Sequence, residues 1–322
     1  MTKEILIHQI VDVLQQAGFI VSKRCNIRPR SFDLAARNNQ ILLFCKVLYN
    51  IDGLNEETAR EMKSLALYLG GTAILIGAKT RDQMLEDSVV YMRYDIPAVS
   101  VQTLYDYFVE EVPPLVSAAP GGLYVSIDGD VLKEARKRTD MSLGALATEL
   151  GVSRRTISKY EEGGMDASID IVLQLEELLD VALAKSIDIL RRFEKNVTVE
   201  MPVEKKSEPQ PDDGILNMLH TLGYQVMSTS QAPFKAISKD TSDTILTGVS
   251  TYSSAMIKRA DLMSSISCVT RTKSVFIING HIKSETVENT VLIEKCELDK
   301  LSGTDELADL INERTKKHNT EI

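Results

Sequence analysis

Met141-Ser142-Leu143-Gly144-Ala145-Leu146-Ala147-Thr148-Glu149-Leu150-Gly151-Val152-Ser153, followed at once by Arg154-Arg155-Thr156-Ile157-Ser158-Lys159-Tyr160-Glu161-Glu162-Gly163, decides how this chain is read. The spacing predicts two short helices joined by a tight turn. Ser142 is placed to N-cap the first, whose buried face would be Leu143, Leu146, Ala147 and Leu150. Gly151 permits the left-handed backbone of the turn, Val152 plugs the corner and Ser153 N-caps the second helix. The small Ala147 lets the two helices approach closely. In the second helix Ile157 and Tyr160 point inward, which leaves Arg154, Arg155, Ser158 and Lys159 together on the outer face. A further helix is expected just upstream, over Asp130–Arg138.

That outer face suits the major groove of DNA. An arginine fork matches O6 and N7 of guanine, while Ser158 and Lys159 can reach base edges or phosphates. The candidate DNA-contacting residues are Ser142, Ser153, Arg154, Arg155, Thr156, Ser158 and Lys159. A small helical bundle with no nucleic-acid role is the plain alternative, and the turn signature argues against it.

Leu146-Ala147, Gly151-Val152-Ser153 and the run from Thr156 to Gly163 carry a likeness to a known family: the stretch resembles the phage Cro/repressor-type helix-turn-helix. The resemblance runs on through Ser168 to Leu179 as a fourth helix and Ile187 to Leu190 as a fifth. It implies that Arg136 pairs with Glu161 as a brace for the fold and not as a base contact. It also exposes a departure. Where the family has glutamine near the start of the second helix, this chain has Leu143 beside Gly144, so one phosphate or base contact is expected to be missing.

With 322 residues the chain is longer than a single core usually supports, roughly 250 residues, so two or three domains are expected. Its 43% hydrophobic and 26% charged residues exclude a wholly disordered chain. The formal charge of −9 runs against nucleic-acid binding, in which phosphate contacts dominate affinity. Even residues 130–163 hold only seven basic against six acidic side chains. Placement has to compensate: Arg154, Arg155 and Lys159 fall on one short helix whose acids come at its far end. No apolar run reaches the roughly 20 residues that span a bilayer, and Met1-Thr2-Lys3-Glu4 does not open a signal peptide. A cytoplasmic protein without a membrane partner is expected. Cys25, Cys45, Cys268 and Cys296 lie far apart, as do His8, His220, His281 and His318, so reduced thiols, no metal site and no cofactor are expected.

Two stretches read as linkers by their proline, glycine and charge content: Val112-Pro113-Pro114 through Pro120-Gly121-Gly122, and Glu204 through Asp213. They divide the chain into 1–112, 121–198 and 213–322. The first segment opens with an amphipathic helix marked by Ile5, Ile10, Val13 and Leu14 and capped by Gly18, followed by the strand Ile41–Val47, a helix over Glu56–Leu69 and a buried strand Ala73–Gly77. The third segment repeats this layout. Leu14–Val21 matches Leu219–Val226, Ala73–Gly77 matches Val275–Gly280, and Pro29–Asp33 has a counterpart in Ala232-Pro233-Phe234-Lys235. Chance similarity between two α/β units is the alternative.

Asp33, followed by a hydrophobic strand carrying Lys46, gives the first segment the look of the PD-(D/E)xK nuclease fold. Such enzymes need two carboxylates to hold a divalent metal and a nearby lysine. The second acidic position is Phe44 here, and in the third segment Lys235 replaces the aspartate. Asp33, Phe44 and Lys46 are therefore read as vestigial. Asp33 and Lys46 then pair on the sheet, or Arg28, Arg30 and Lys46 touch a DNA backbone or a small ligand.

The expected architecture is multidomain: an all-α five-helix Cro/repressor-type domain at 121–198 between two α/β, restriction-endonuclease-like domains at 1–112 and 213–322. The lead-in Gly121–Gly129 and Ser142-Leu143-Gly144 extend the likeness to archaeal HTH-type transcriptional regulatory proteins. The function that resemblance implies is a non-enzymatic regulator that reads double-stranded DNA with helix 153–163, as a homodimer. A metal-dependent nuclease and a nuclease-derived protein-interaction adaptor are the alternatives.

Overall fold

The computed structural model describes residues 2–39, 41–190 and 213–321. The chain begins with α1 (Lys3–Gln16), β1 (Ile20–Val21), β2 (Leu34–Asn38), β3 (Ile41–Asn50), α2 (Glu56–Leu69) and β4 (Thr72–Lys79). It continues with β5 (Val89–Arg93), β6 (Ile96–Val99), α3 (Val101–Phe108), β7 (Val116–Ala119) and β8 (Gly122–Val125). The helical segment holds α4 (Gly129–Arg138), α5 (Leu143–Glu149), α6 (Arg154–Glu161), β9 (Ala167–Ser168) and α7 (Ile169–Leu179). Last come α8 (Asp213–Thr221), β10 (Gln225–Ser228), β11 (Ala236–Lys239), β12 (Thr244–Ser250) and α9 (Ser254–Thr270). These are followed by β13 (Lys273–Ile278), β14 (Thr286–Val287), β15 (Thr290–Glu294), α10 (Lys295–Leu298) and α11 (Thr304–Glu321).

Two compact units arise, and the first segment contributes to both. One comprises Met1–Ala17, Leu48–Leu54 and Ile74–Arg191; the other comprises Gly18–Val47, Asn55–Ala73 and Arg192–Ile322. Residues 191–198 of the expected central segment, and the charged run Glu204 to Asp212, lie outside the described residues.

In the first unit β4 runs parallel to β6, β5 pairs with β6 antiparallel and with β7 in parallel, and β8 closes a hairpin on β7. The stretch 112–122 is therefore no linker. Val116–Ala119 is a sheet strand in register with Val89–Tyr91, and Pro120-Gly121-Gly122 turns the chain, with Gly121 at φ 99° and Gly122 at φ 147°. The helical segment joins the same sheet at its edge, where Tyr124 pairs with Ser168 and Val125 with Ala167. At α1, Ile5 is 49% exposed, and Leu6 and Ile7 take the buried places beside Ile10, Val13 and Leu14.

No helix forms over Ile187 to Leu190. Lys185 N–H donates to Ser126 O, Ile187 N–H to Pro114 O and Leu190 N–H to the Asp188 carboxylate, so the chain leaving α7 runs back along the hairpin. Four helices, α4 to α7, make the described helical segment.

In the second unit β1, β2 and β3 form an antiparallel meander, and β10-β11-β12-β13-β15-β14 form a separate mixed sheet. The two sets share a register. Asp33 N–H donates to Cys45 O across the β2–β3 pair, and Lys235 N–H to Thr247 O across β11–β12. Phe32 and Phe234, one residue earlier, are both fully buried. Arg37 stands opposite Ile20 as Lys239 stands opposite Gln225.

Helix α9 has apolar side chains on more than one face, and it packs against β12 and β13 on one side and β2 on the other. Gly248, on the strand position that corresponds to Lys46, makes that packing possible. A Cβ there would stand 2.5 Å from the Phe276 ring and 3.0 Å from Met263 Sδ. We expect Gly248→Ala to destabilise the protein by about 1–3 kcal/mol through overpacking, read as a lowered midpoint in urea at unchanged slope.

Candidate nucleic-acid interface

The reading head is assembled by local chemistry. Ser142 Oγ accepts Ala145 N–H at 3.0 Å to start α5, and Ser153 Oγ accepts Thr156 N–H at 3.1 Å to start α6. Between them Gly151 adopts φ 64°, and Val152 N–H returns to Ala147 O at 3.0 Å. Leu146, Ala147, Leu150, Ile157 and Tyr160 enter one core with Leu132 and Leu175; Leu143 and Val152 pack against it half-buried.

Helices α4 and α6 are held together twice. Arg136 Nε meets Glu161 Oε1 at 2.5 Å and Arg136 Nη2 meets Glu161 Oε2 at 3.1 Å, while Nη1 donates to Met141 O at 2.9 Å. The carboxylate raises the arginine pKa further. At the other end of α4, a Cβ on Gly129 would collide with the Glu161 carbonyl, so only glycine permits this approach.

What remains on the outer side of α6 is Arg154, Arg155 and Lys159, all exposed and without an ion pair among the described residues. Ser158 is half-buried and donates to the Glu162 carboxylate at 2.8 Å. The hydroxyls of Ser153 and Thr156 lie 2.8 Å apart in the cap. Gly144 has only Ser142 Oγ, at 3.8 Å, near the position of a Cβ.

Three residues that the sequence reading passed over support this surface. Asp128 caps α4 by accepting Asp130 and Val131 N–H, Lys185 stands 3.5 Å from its carboxylate, and Arg138 Nη2 donates to Leu179 O at the end of α7. Asp128 and Gly129 are adjacent to the helix signal. Lys185 is too far along the chain for spacing to reveal it.

The expected nuclease positions Asp33, Phe44 and Lys46 lie buried together in the second unit. Asp33 is fully buried: its Oδ2 accepts Val47 N–H at 2.8 Å, and Arg30 Nε lies 2.9 Å from its Oδ1. Lys46 Nζ donates to Arg30 O at 2.7 Å. Phe44 is buried edge-on against Phe32, ring centroids 5.3 Å apart. Burial beside Asp33 pushes the Cys45 thiol up to about 12. Among the described residues no group of three or more His, Cys, Asp or Glu side chains could hold a metal ion.

A family model described as a PD-(D/E)XK superfamily domain matches residues 3–114, and a helix-turn-helix model matches residues 132–185. A relative from Methanococcoides burtonii, named as an HTH-type transcriptional regulatory protein, is 72% identical over 323 residues, covering 100% of both chains. The chain belongs to that family. A relative of the same name from Methanosarcina barkeri is 67% identical over 99% of each chain, and one from Natronomonas pharaonis is 46% identical over 98% of this chain and 100% of its own. The protein is thus a DNA-binding helix-turn-helix regulator of transcription with a PD-(D/E)XK-type domain. No helix among the described residues is long and apolar enough to cross a membrane.

The divalent metal that this superfamily implies does not fit the residues present. One carboxylate remains, both of its oxygens are engaged, and a guanidinium occupies its open side.

Two outcomes follow from the brace and the cap. Arg136→Ala leaves the Glu161 carboxylate, 8% exposed, without its partner. This should cost about 3–5 kcal/mol, measurable by chemical denaturation, with Arg136→Ala/Glu161→Ala recovering part of the loss. The Asp128 carboxyl is held below its ordinary range, first by the Val131 N–H and then by Lys185. A depressed folded-state value means that its contribution is present above the ordinary aspartate pKa and lost as pH falls through the folded value. Asp128→Asn should flatten that acid-side fall in a plot of stability against pH.

Proposed function

We propose that this regulator recognises a specific operator by laying residues 153–163 in the major groove, and that it does so as a homodimer whose two recognition helices stand about 34 Å apart. One observation carries the reading. Arg154, Arg155 and Lys159 are exposed and without ion pairs, on the free face of a helix whose opposite face is locked into a core by Ile157, Tyr160 and the Arg136–Glu161 pair. In this reading Arg154 and Arg155 are the base readers, Ser158 and Lys159 reach base edges or phosphates, and the Ser142, Ser153 and Thr156 hydroxyls, which serve the helix caps, are assigned contacts to the DNA.

The near-neutral charge of residues 130–163, and glycine at 144, imply modest affinity for one module, which favours two acting together. We read 213–322 as a second and more degenerate copy of the α/β segment at 1–112, with the helix-turn-helix segment at 121–198 between them, and assign no catalytic step to any of the three.

Arg154→Ala or Arg155→Ala should each weaken operator binding by about 1–3 kcal/mol, roughly 5- to 150-fold, with the fold intact. Fluorescence anisotropy on a duplex selected from random fragments measures this. Unchanged binding by both variants would overturn the assignment.

A further inference from the structure

Within the second unit the two α/β sets meet by reciprocal contacts. Glu61 on α2 accepts the N–H groups of Ser230 and Gln231 at 2.9 Å, just beyond β10. In the other direction Asp261 on α9 takes Lys23 Nζ at 2.6 Å, just beyond β1, and Ser265 Oγ accepts Lys23 N–H at 2.7 Å. Arg37 donates to Val269 O and Thr270 O at the end of α9, and its register counterpart Lys239 lines a recess together with Leu67, Tyr68 and Leu69 at the end of α2. This exchange has the form of a two-fold interface, made within one chain.

The two ends of the exchange are not alike. Beside Glu61 the space is filled: Gln231 is buried and its Oε1 accepts the Thr58 hydroxyl at 2.7 Å. At the corresponding place beside Asp261 a cavity of about 570 Å³ stands open. Its floor is apolar, with Met256, Leu262 and the buried Phe276. Its walls carry Lys23, Arg24, Lys258 and Arg259, with the hydroxyls of Ser250 and Ser253. Asp261 alone among the lining residues is acidic, and Lys23 already holds it.

Lys258 and Arg259 make no ion pair among the described residues. In a chain with a formal charge of −9, cations left unpaired around a recess serve no folding purpose that the surrounding contacts reveal.

We propose that this cavity binds a small phosphate ester. The cations and hydroxyls would hold the phosphate oxygens, with arginine supplying a fork, and the apolar floor would receive the body of the molecule. The volume falls in the range of about 300–1,000 Å³ common to small-molecule sites. A duplex backbone needs an outward stripe of charge, whereas these cations line a recess.

Thermal melting and calorimetry of the full chain, with ATP, inorganic pyrophosphate and adenosine in the presence of EDTA, test the site. ATP and pyrophosphate should raise the melting midpoint, by on the order of 5 °C near 100 times Kd, and adenosine should not. Lys258→Ala/Arg259→Ala, one side chain exposed and the other half-buried and neither in an ion pair among the described residues, should leave the unliganded midpoint unchanged and weaken Kd for both phosphate compounds at least about tenfold, the loss of one charge-assisted contact. Failure of both compounds to bind at millimolar concentration overturns the proposal, as does an equal response in the double variant. Weakened binding of duplex DNA by the double variant, with ATP binding unchanged, also overturns it and assigns the cations to a DNA backbone. Arg154→Ala should leave the ATP response intact, so the operator reading and this one fail separately.

Discussion

The pairing of Arg136 with Glu161 is the constraint around which the reading head is organised. Both side chains are nearly buried, and the third guanidinium nitrogen, Nη1, donates to Met141 O at the entry to α5. Three helices therefore converge on one cation. Removing a charge from water is expensive unless geometry and further hydrogen bonds compensate, and here both oxygens of the acid and three nitrogens of the base are engaged. With α6 anchored at its C-terminal end by this pair and along its inner side by Ile157 and Tyr160, its outer cations Arg154, Arg155 and Lys159 are left exposed and without an ion pair among the described residues. They are available to respond to a ligand alone.

The PD-(D/E)XK part of the chain reaches the same end by a different route. A buried carboxylate needs a positive partner, and in a nuclease a metal ion provides it. Here the partner is Arg30, from the loop before β2, while Phe44 fills the place of the second acid with packing against Phe32. The second sheet has gone further. Gly248 stands at the lysine position because Phe276 leaves no room for a side chain, and Lys235 stands at the aspartate position. Each replacement keeps the sheet register and takes away a group that a metal site of this kind would use.

Legibility followed the range of the interactions. The α5–turn–α6 unit could be read because its caps, its left-handed Gly151 and its inner face are all set by neighbours a few residues away. Proline and glycine serve linkers and hairpin turns alike, so Val112 to Gly122 looked like a boundary although Val116–Ala119 is a paired strand. The end of the helical segment is set in the same long-range way. Nothing in Ile187 to Leu190 announces that Pro114, far away in sequence, will claim its first N–H. Arg30 is only three residues from Asp33, yet no periodicity links two residues in a loop, and the opposed burial of α9 depends on a strand more than 200 residues distant.

The two-residue strand β9 has a consequence out of proportion to its length. It is the edge of the sheet in the first unit and, through Ser168, the first residue before α7. The chain returning from α7 then lays Lys185 and Ile187 against Ser126 and Pro114. A helix-turn-helix is commonly pictured as a cartridge that recombination can move between proteins with a cut at either end. This one is sewn in at two seams, and a cut at residue 121 would strip the partner from β7 as well as free the helices. The helices and the sheet edge are therefore expected to fold, and to be lost, together.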